Sequence, residues 1–290
     1  MSLIPGRSVF ARVGGLLVAG ALAAASGTAN AWTIERNMDS LSAGAYAGEG
    51  FFDPVKVSTD VAYSGTKSAK LPVQGGTDAW GSFGGVFMFP SAMARGSEAW
   101  FRVRVYWPQG FDYTAPGAGG RLKFLRFHTA TSGGSNIGYD DIYINGPGSN
   151  PQFQYIYETV DQWVTLGGAA EQIKFGVWET YEFYVKFDTA SVAQGGQGRV
   201  RFWKDGKLVR DITDKVTLSQ STGKIDSALL FTYWNGNAPK TQSLYVDDVV
   251  ITNDTPASRD ASGNPFIGMG AAGPGVPTKQ PNPPSSVGVN

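Results

Sequence analysis

His128 is the only histidine among 290 residues, and there is no cysteine, so imidazole chemistry rests on one side chain. In Lys123-Phe124-Leu125-Arg126-Phe127-His128, strand alternation places Phe124, Arg126 and His128 on one face and Lys123, Leu125 and Phe127 on the other. An imidazole exchanges a proton near neutral pH, and a guanidinium two residues away can hold a carboxylate by charge-assisted hydrogen bonds. Arg126 and His128 are therefore a candidate catalytic pair; the competing reading is a histidine with a purely structural role. Tyr155 and Tyr157 share a strand face and are candidates for proton transfer, with Tyr143 and Tyr184 behind them.

Other chemistries lack their parts. With one histidine and no cysteine, zinc has no ligand cluster. There is no Gly-Lys-Ser/Thr phosphate loop, no Gly-x-Ser-x-Gly elbow and no thiol nucleophile. Hydrolysis of a glycosidic bond needs two carboxylates about 5–9.5 Å apart. Glu179 and Glu182, three residues apart, face opposite ways on a regular strand. Asp140-Asp141 and Asp247-Asp248 offer carboxylates to a hard cation, or are simply turn acids.

The elements that must carry these residues are strands. Short alternating segments at 99–107, 121–129, 153–158, 180–188, 199–204, 228–234 and 243–252 are each bounded by Gly, Asn, Asp or Pro. Lys204-Asp205-Gly206-Lys207 holds the Asp-Gly pair of a tight hairpin. Antiparallel strands without intervening helices predict a sandwich or barrel. Within 180–188, Tyr181, Phe183, Val185 and Phe187 oppose Glu182, Tyr184, Lys186 and Asp188. Within 99–107, Phe101, Val103, Val105 and Trp107 oppose Arg102, Arg104 and Tyr106. One side is core; the other, carrying Arg102, Arg104, Tyr184 and Lys186, is either a binding face for an acidic polysaccharide or a plain solvated one. Glycine at 39 residues and aromatics at 13% suit turns and pleated surfaces.

Residues 1–31 read as a secretion signal. Arg7 and Arg12 precede a short apolar run, and Ala29-Asn30-Ala31 fits a cleavage site before Trp32. The run is shorter than the roughly 20 residues that span a bilayer, so no membrane span is expected after cleavage. The mature protein is then secreted or periplasmic, and without cysteines it must stand on its hydrophobic core. Removing Arg7 and Arg12 turns 24 basic against 24 acidic residues into 22 against 24, which argues against nucleic acid as partner. Residues 32–254 form one domain. From 255 to 290 a Pro/Gly-rich stretch without periodicity reads as a flexible tail, with Asn264-Pro265-Phe266-Ile267 able to dock locally.

Three segments in order resemble the frame of concanavalin A-like jelly rolls: Ile34-Glu35-Arg36-Asn37-Met38-Asp39, Tyr63-Ser64-Gly65-Thr66-Lys67-Ser68-Ala69-Lys70-Leu71 and Leu244-Tyr245-Val246-Asp247-Asp248-Val249-Val250-Ile251. The middle of the chain narrows this. Phe101–Phe111, Gly120-Arg121-Leu122-Lys123-Phe124-Leu125, Trp178-Glu179-Thr180-Tyr181-Glu182 and Gly198–Gly206 look like jelly-roll polysaccharide lyases of the alginate- and glucuronan-cleaving type. Arg121-Leu122 departs from their Lys-Leu, and Arg126-Phe127-His128 has arginine where a Gln-x-His pair carries glutamine.

The resemblance implies an all-β jelly-roll sandwich of two antiparallel sheets and an activity, β-elimination on a uronate polymer. There Arg126 and His128 would neutralise the carboxylate and take the C5 proton, and a tyrosine would protonate the departing oxygen. It also implies a structural Ca²⁺ at Asp39 and Asp247, with Glu35 as a further candidate ligand, and no organic cofactor. The resulting expectation is a secreted, monomeric lyase-like protein acting on an acidic polysaccharide. Its rivals are a non-catalytic carbohydrate-binding module and a structural or adhesive envelope protein tethered by its tail.

Overall fold

The computed structural model describes residues 31–113, 121–145, 152–159 and 163–270. Residues 1–30 of the expected signal and 271–290 of the expected tail lie outside the described residues. The chain order begins β1 (Thr33–Arg36), β2 (Lys56–Ser58), β3 (Ser68–Val73), β4 (Gly85–Ala94), β5 (Glu98–Tyr106), β6 (Arg121–Ala130), β7 (Asn136–Asn145) and β8 (Gln152–Tyr157). It continues β9 (Val164–Leu166), β10 (Trp178–Lys186), β11 (Arg199–Lys204), β12 (Lys207–Ile212), β13 (Lys224–Leu230), β14 (Trp234–Asn235) and β15 (Gln242–Thr252).

Two antiparallel sheets stack as a jelly-roll sandwich. The first runs β12-β11-β10-β5-β15-β3-β2, with β1 also paired to β15; the second runs β4-β13-β6-β7-β8-β9, with β14 paired to β6. Alternation in β5 and β10 follows the sequence pattern. Phe101, Val103, Val105, Tyr181, Phe183 and Val185 are fully buried between the sheets. Aromatic rings bridge the layers, with Phe127 stacked on Phe183 at 5.1 Å and Phe124 edge-on to Tyr181 at 5.1 Å. Between β11 and β12 the chain turns through Asp205 and Gly206, both at positive φ (50° and 75°), the conformation a two-residue hairpin needs.

Two features of the sheets differ from the expected pattern. Strand β6 carries an irregularity against β7 between Lys123 and Leu125. The extra residue shifts the alternation, so Phe124 and Phe127 both enter the core while Lys123 joins Arg126 and His128 on the outer face. The second feature is the chain beyond residue 254. Residues 255–270 do not run free but lie across the outer face of the first sheet. Phe266 stacks on Trp203 (5.9 Å, 25°) and packs with Trp100 and Tyr184. The indoles of Trp100 and Trp203 donate to the Pro265 carbonyl (3.1 Å) and the Asp260 carboxylate (2.9 Å). Glu182 accepts the backbone N–H groups of Ile267 (2.6 Å) and Gly268 (3.0 Å), and Arg102 donates to the Gly268 carbonyl (3.0 Å). Apolar burial and paired backbone groups together hold the segment down.

Candidate functional site

Residues 255–270, a strap across the first sheet, correct the expected binding face. Arg102 and Arg104 donate to strap carbonyls, Arg104 to that of Met269; with Tyr184 they are buried under residues 265–270. Lys186 pairs with Glu98 at 2.9 Å on the same sheet. None of the four faces an open surface with Arg126 or His128, which belong to the other sheet.

Tyr155 and Tyr157 also fall on the wrong side. On β8 the core-facing positions are Phe153, Tyr155 and Tyr157, all buried. Tyr155 donates to Asp140 at 2.6 Å, while the Tyr157 hydroxyl accepts the backbone N–H of Ser219 at 2.8 Å. Their hydroxyls serve buried partners and reach no open surface.

The expected calcium ligands do not form a cation cage. One Asp39 oxygen accepts the N–H groups of Thr66 (2.8 Å) and Lys67 (3.1 Å). Asp247 accepts those of Tyr63 (3.0 Å), Ser64 (3.2 Å) and Asp248 (2.8 Å). Burial and the charge of Asp248 push the Asp247 carboxyl up to about 7. The Lys67 ammonium takes the carbonyls of Asp39 (2.8 Å) and Leu41 (2.7 Å), and Glu35 is exposed on β1. Among the described residues no group of three or more His, Cys, Asp or Glu side chains is placed to hold a metal ion. The two carboxylates clamp the loop around Gly65, where an added Cβ would lie 1.8 Å from an Asp39 oxygen.

The outer face of the second sheet does gather chemistry. Pairing sets Lys123 opposite Tyr143, Arg126 opposite Asp141 and His128 opposite Tyr139. The Tyr139 ring is the centre: Arg126 lies 4.6 Å from its centroid, the His128 ring 5.1 Å and the Lys123 ammonium 5.7 Å. Its hydroxyl has no hydrogen-bond partner among the described residues. Burial raises the Tyr139 pKa above its ordinary value, with Arg126 pulling in the opposite direction.

Each of these basic side chains faces an acid. Lys123 pairs with Glu158 (2.8 Å), Arg126 faces Asp141 (3.8 Å) and donates to Thr232, and His128 bonds Asp226 through Nδ1 (2.6 Å). The other imidazole nitrogen meets Asn136 Oδ1 at 3.0 Å, an oxygen that also accepts the Gly138 N–H. Both ring nitrogens thus face acceptors, so His128 is placed to donate rather than to take a proton. Tyr143 donates to the same Glu158 oxygen as Lys123, at 2.9 Å; burial, Asp141 and Glu158 push its phenol far up. Burial also drives Asp141 well up, while Lys123 and Tyr143 outweigh burial at Glu158 and bring it down.

Arg126 and His128 therefore share one face with Tyr143, and Lys123, Tyr139 and Glu158 complete it. Tyr139 was legible in Tyr139-Asp140-Asp141-Ile142-Tyr143-Ile144, where tyrosines at i and i+4 alternate with apolar positions. An aspartate on the core side, Asp140, hides that pattern; it is tolerated because Tyr155 donates to it.

No family model matches the sequence, and no curated protein matches it. Solved structures do. The alginate lyase Aly36B aligns at 16% identity with a TM-score of 0.54, covering 76% of this chain and 96% of that one. A double mutant of it in complex with an alginate tetrasaccharide aligns equally well. The endo-β-1,4-glucuronan lyase of the fungus Trichoderma reesei aligns at 11% identity and a TM-score of 0.51, covering 76% and 95%. The fold is that of the jelly-roll polysaccharide lyases. Identities this low carry the architecture and not the activity.

Proposed function

We propose that this is an exported polysaccharide lyase acting on a uronate-containing glycan through the outer face of the second sheet. The supporting observation is Tyr139: a phenol whose hydroxyl has no partner among the described residues, ringed by Lys123, Arg126 and His128. As phenolate, Tyr139 takes the C5 proton of a uronosyl residue. The C–H electrons form the C4–C5 double bond as the C4–O bond breaks. The phenol so formed returns its proton to the departing oxygen. The surrounding cations stabilise both the phenolate and the charge that builds on the substrate carboxylate. Arg126 is 3% exposed and acts through the Tyr139 ring, while Lys123 and His128 are within reach of solvent.

Hydrolysis fits less well. Asp141 is completely buried, out of reach of a glycosidic oxygen, and Glu158 is occupied by an ammonium and a phenol. The test is ultraviolet absorbance of the new double bond during incubation with polyglucuronate, polymannuronate and polyguluronate. Wild type is expected to act on at least one, Tyr139→Phe on none, with an unchanged melting temperature. Affinity without product would favour a non-catalytic binding module, and full activity in Tyr139→Phe would refute the assignment.

A further inference from the structure

Arg121 begins β6 and reaches across the outer face toward Trp163, next to β9. Its guanidinium carbon lies 4.2 Å from the centroid of the indole, which is 36% exposed. Lys123, Arg126 and His128 each face a carboxylate. Arg121 has no carboxylate partner among the described residues, and its buried Nε makes no hydrogen bond. Trp163 leans on Tyr143 at 5.2 Å, which joins the pair to the Tyr139 cluster. On the same face Asn145 pairs with Arg121 across the strands and its side-chain amide donates to Gln154 (3.0 Å). Amides of this kind suit sugar hydroxyls.

We infer that Arg121 and Trp163 form a uronate-selective subsite: the guanidinium takes the carboxylate of one sugar unit and the indole receives its ring. An unneutralised guanidinium on an aromatic plate combines a directional anion contact with an apolar surface. This rests on the lyase reading for the class of glycan, but it concerns binding and not turnover.

The test is calorimetric titration of Tyr139→Phe protein, which holds substrate without cutting it, with tetrasaccharides of glucuronate and mannuronate and with their carboxyl-reduced neutral counterparts. Adding Arg121→Gln should weaken uronate binding by roughly tenfold or more and leave the neutral sugars unaffected. Arg121→Lys should restore part of the loss, and Trp163→Ala should weaken both ligand types. The inference is overturned if Arg121→Gln binds uronate as before, if it loses both ligand types equally, or if Tyr139→Phe protein binds no uronate. Arg121-dependent binding by a wild type that makes no double bond would overturn the lyase reading alone.

Discussion

The lone histidine drew attention first, yet its neighbours decide what it can do. Asp226 and Asn136 occupy both ring nitrogens, and the nearby hydroxyl without a hydrogen-bond partner among the described residues belongs to Tyr139. The pH dependence of the rate tests the tyrosine directly. Burial holds the Tyr139 pKa above its usual range, so kcat/KM should keep climbing well into the alkaline region; a plateau by neutral pH would contradict the tyrosine. Tyr155 supplies the opposite control. Replacing it with Phe strands the buried Asp140 carboxyl, which should cost about 1–3 kcal/mol of stability in denaturant unfolding, with kcat/KM unchanged. Lost activity in a folded Tyr155→Phe protein would put the proton-transfer group on the wrong side of the sheet.

At the scale of elements, alternation was legible wherever strands are regular. The faces of β5 and β10 follow directly from the apolar period, because their buried side is continuous. Strand β6 shows the limit: its irregularity near Lys123 moves a lysine onto the site face, and no local signal distinguishes a bulged strand from a straight one. The strap was partly legible, in Asn264-Pro265-Phe266-Ile267, but composition could not show that Glu182 would bind it. Burial raises that carboxyl to about 7, despite hydrogen bonds from Gly268 and Ile267 and the charge of Arg102. A folded-state pKa above the unfolded value of about 4.3 means the group's stability contribution is full at lower pH and fades as pH rises toward 7. Glu182→Gln should flatten this decline, worth up to about 3 kcal/mol, in melting curves recorded from pH 4.5 to 8; an unchanged slope would show that Glu182 does not titrate there. Phe266→Ala should cost about 3 kcal/mol and expose Trp203 to quenchers, whereas unchanged stability and fluorescence would mean the strap is not held by this ring.

For the whole molecule, the two outer faces have separate fates. The chain's own C-terminal segment occupies one, and the other carries the charged cluster. The alternation places the arginine- and tyrosine-rich face on β5 and β10, but leaves it to either a ligand or solvent, because nothing local reveals that a Pro/Gly-rich segment returns to cover it. Near-neutral net charge agrees with a site whose cations are largely balanced by their own acids. Export is expected to leave Trp32 as the first residue. Its backbone N lies 2.7 Å from the Asn253 side chain, so the new terminus would be tied to the end of β15. Intact mass of the exported protein checks this, and a mature form still carrying residues 1–31 would contradict it. The most direct test of the account is mass spectrometry of products from uronate oligosaccharides. New non-reducing ends are expected to be unsaturated, lighter by one water than hydrolysis products, and formed by wild type but not by Tyr139→Phe. Hydrated ends, intact substrate, or unsaturated products at undiminished rate from Tyr139→Phe would contradict it.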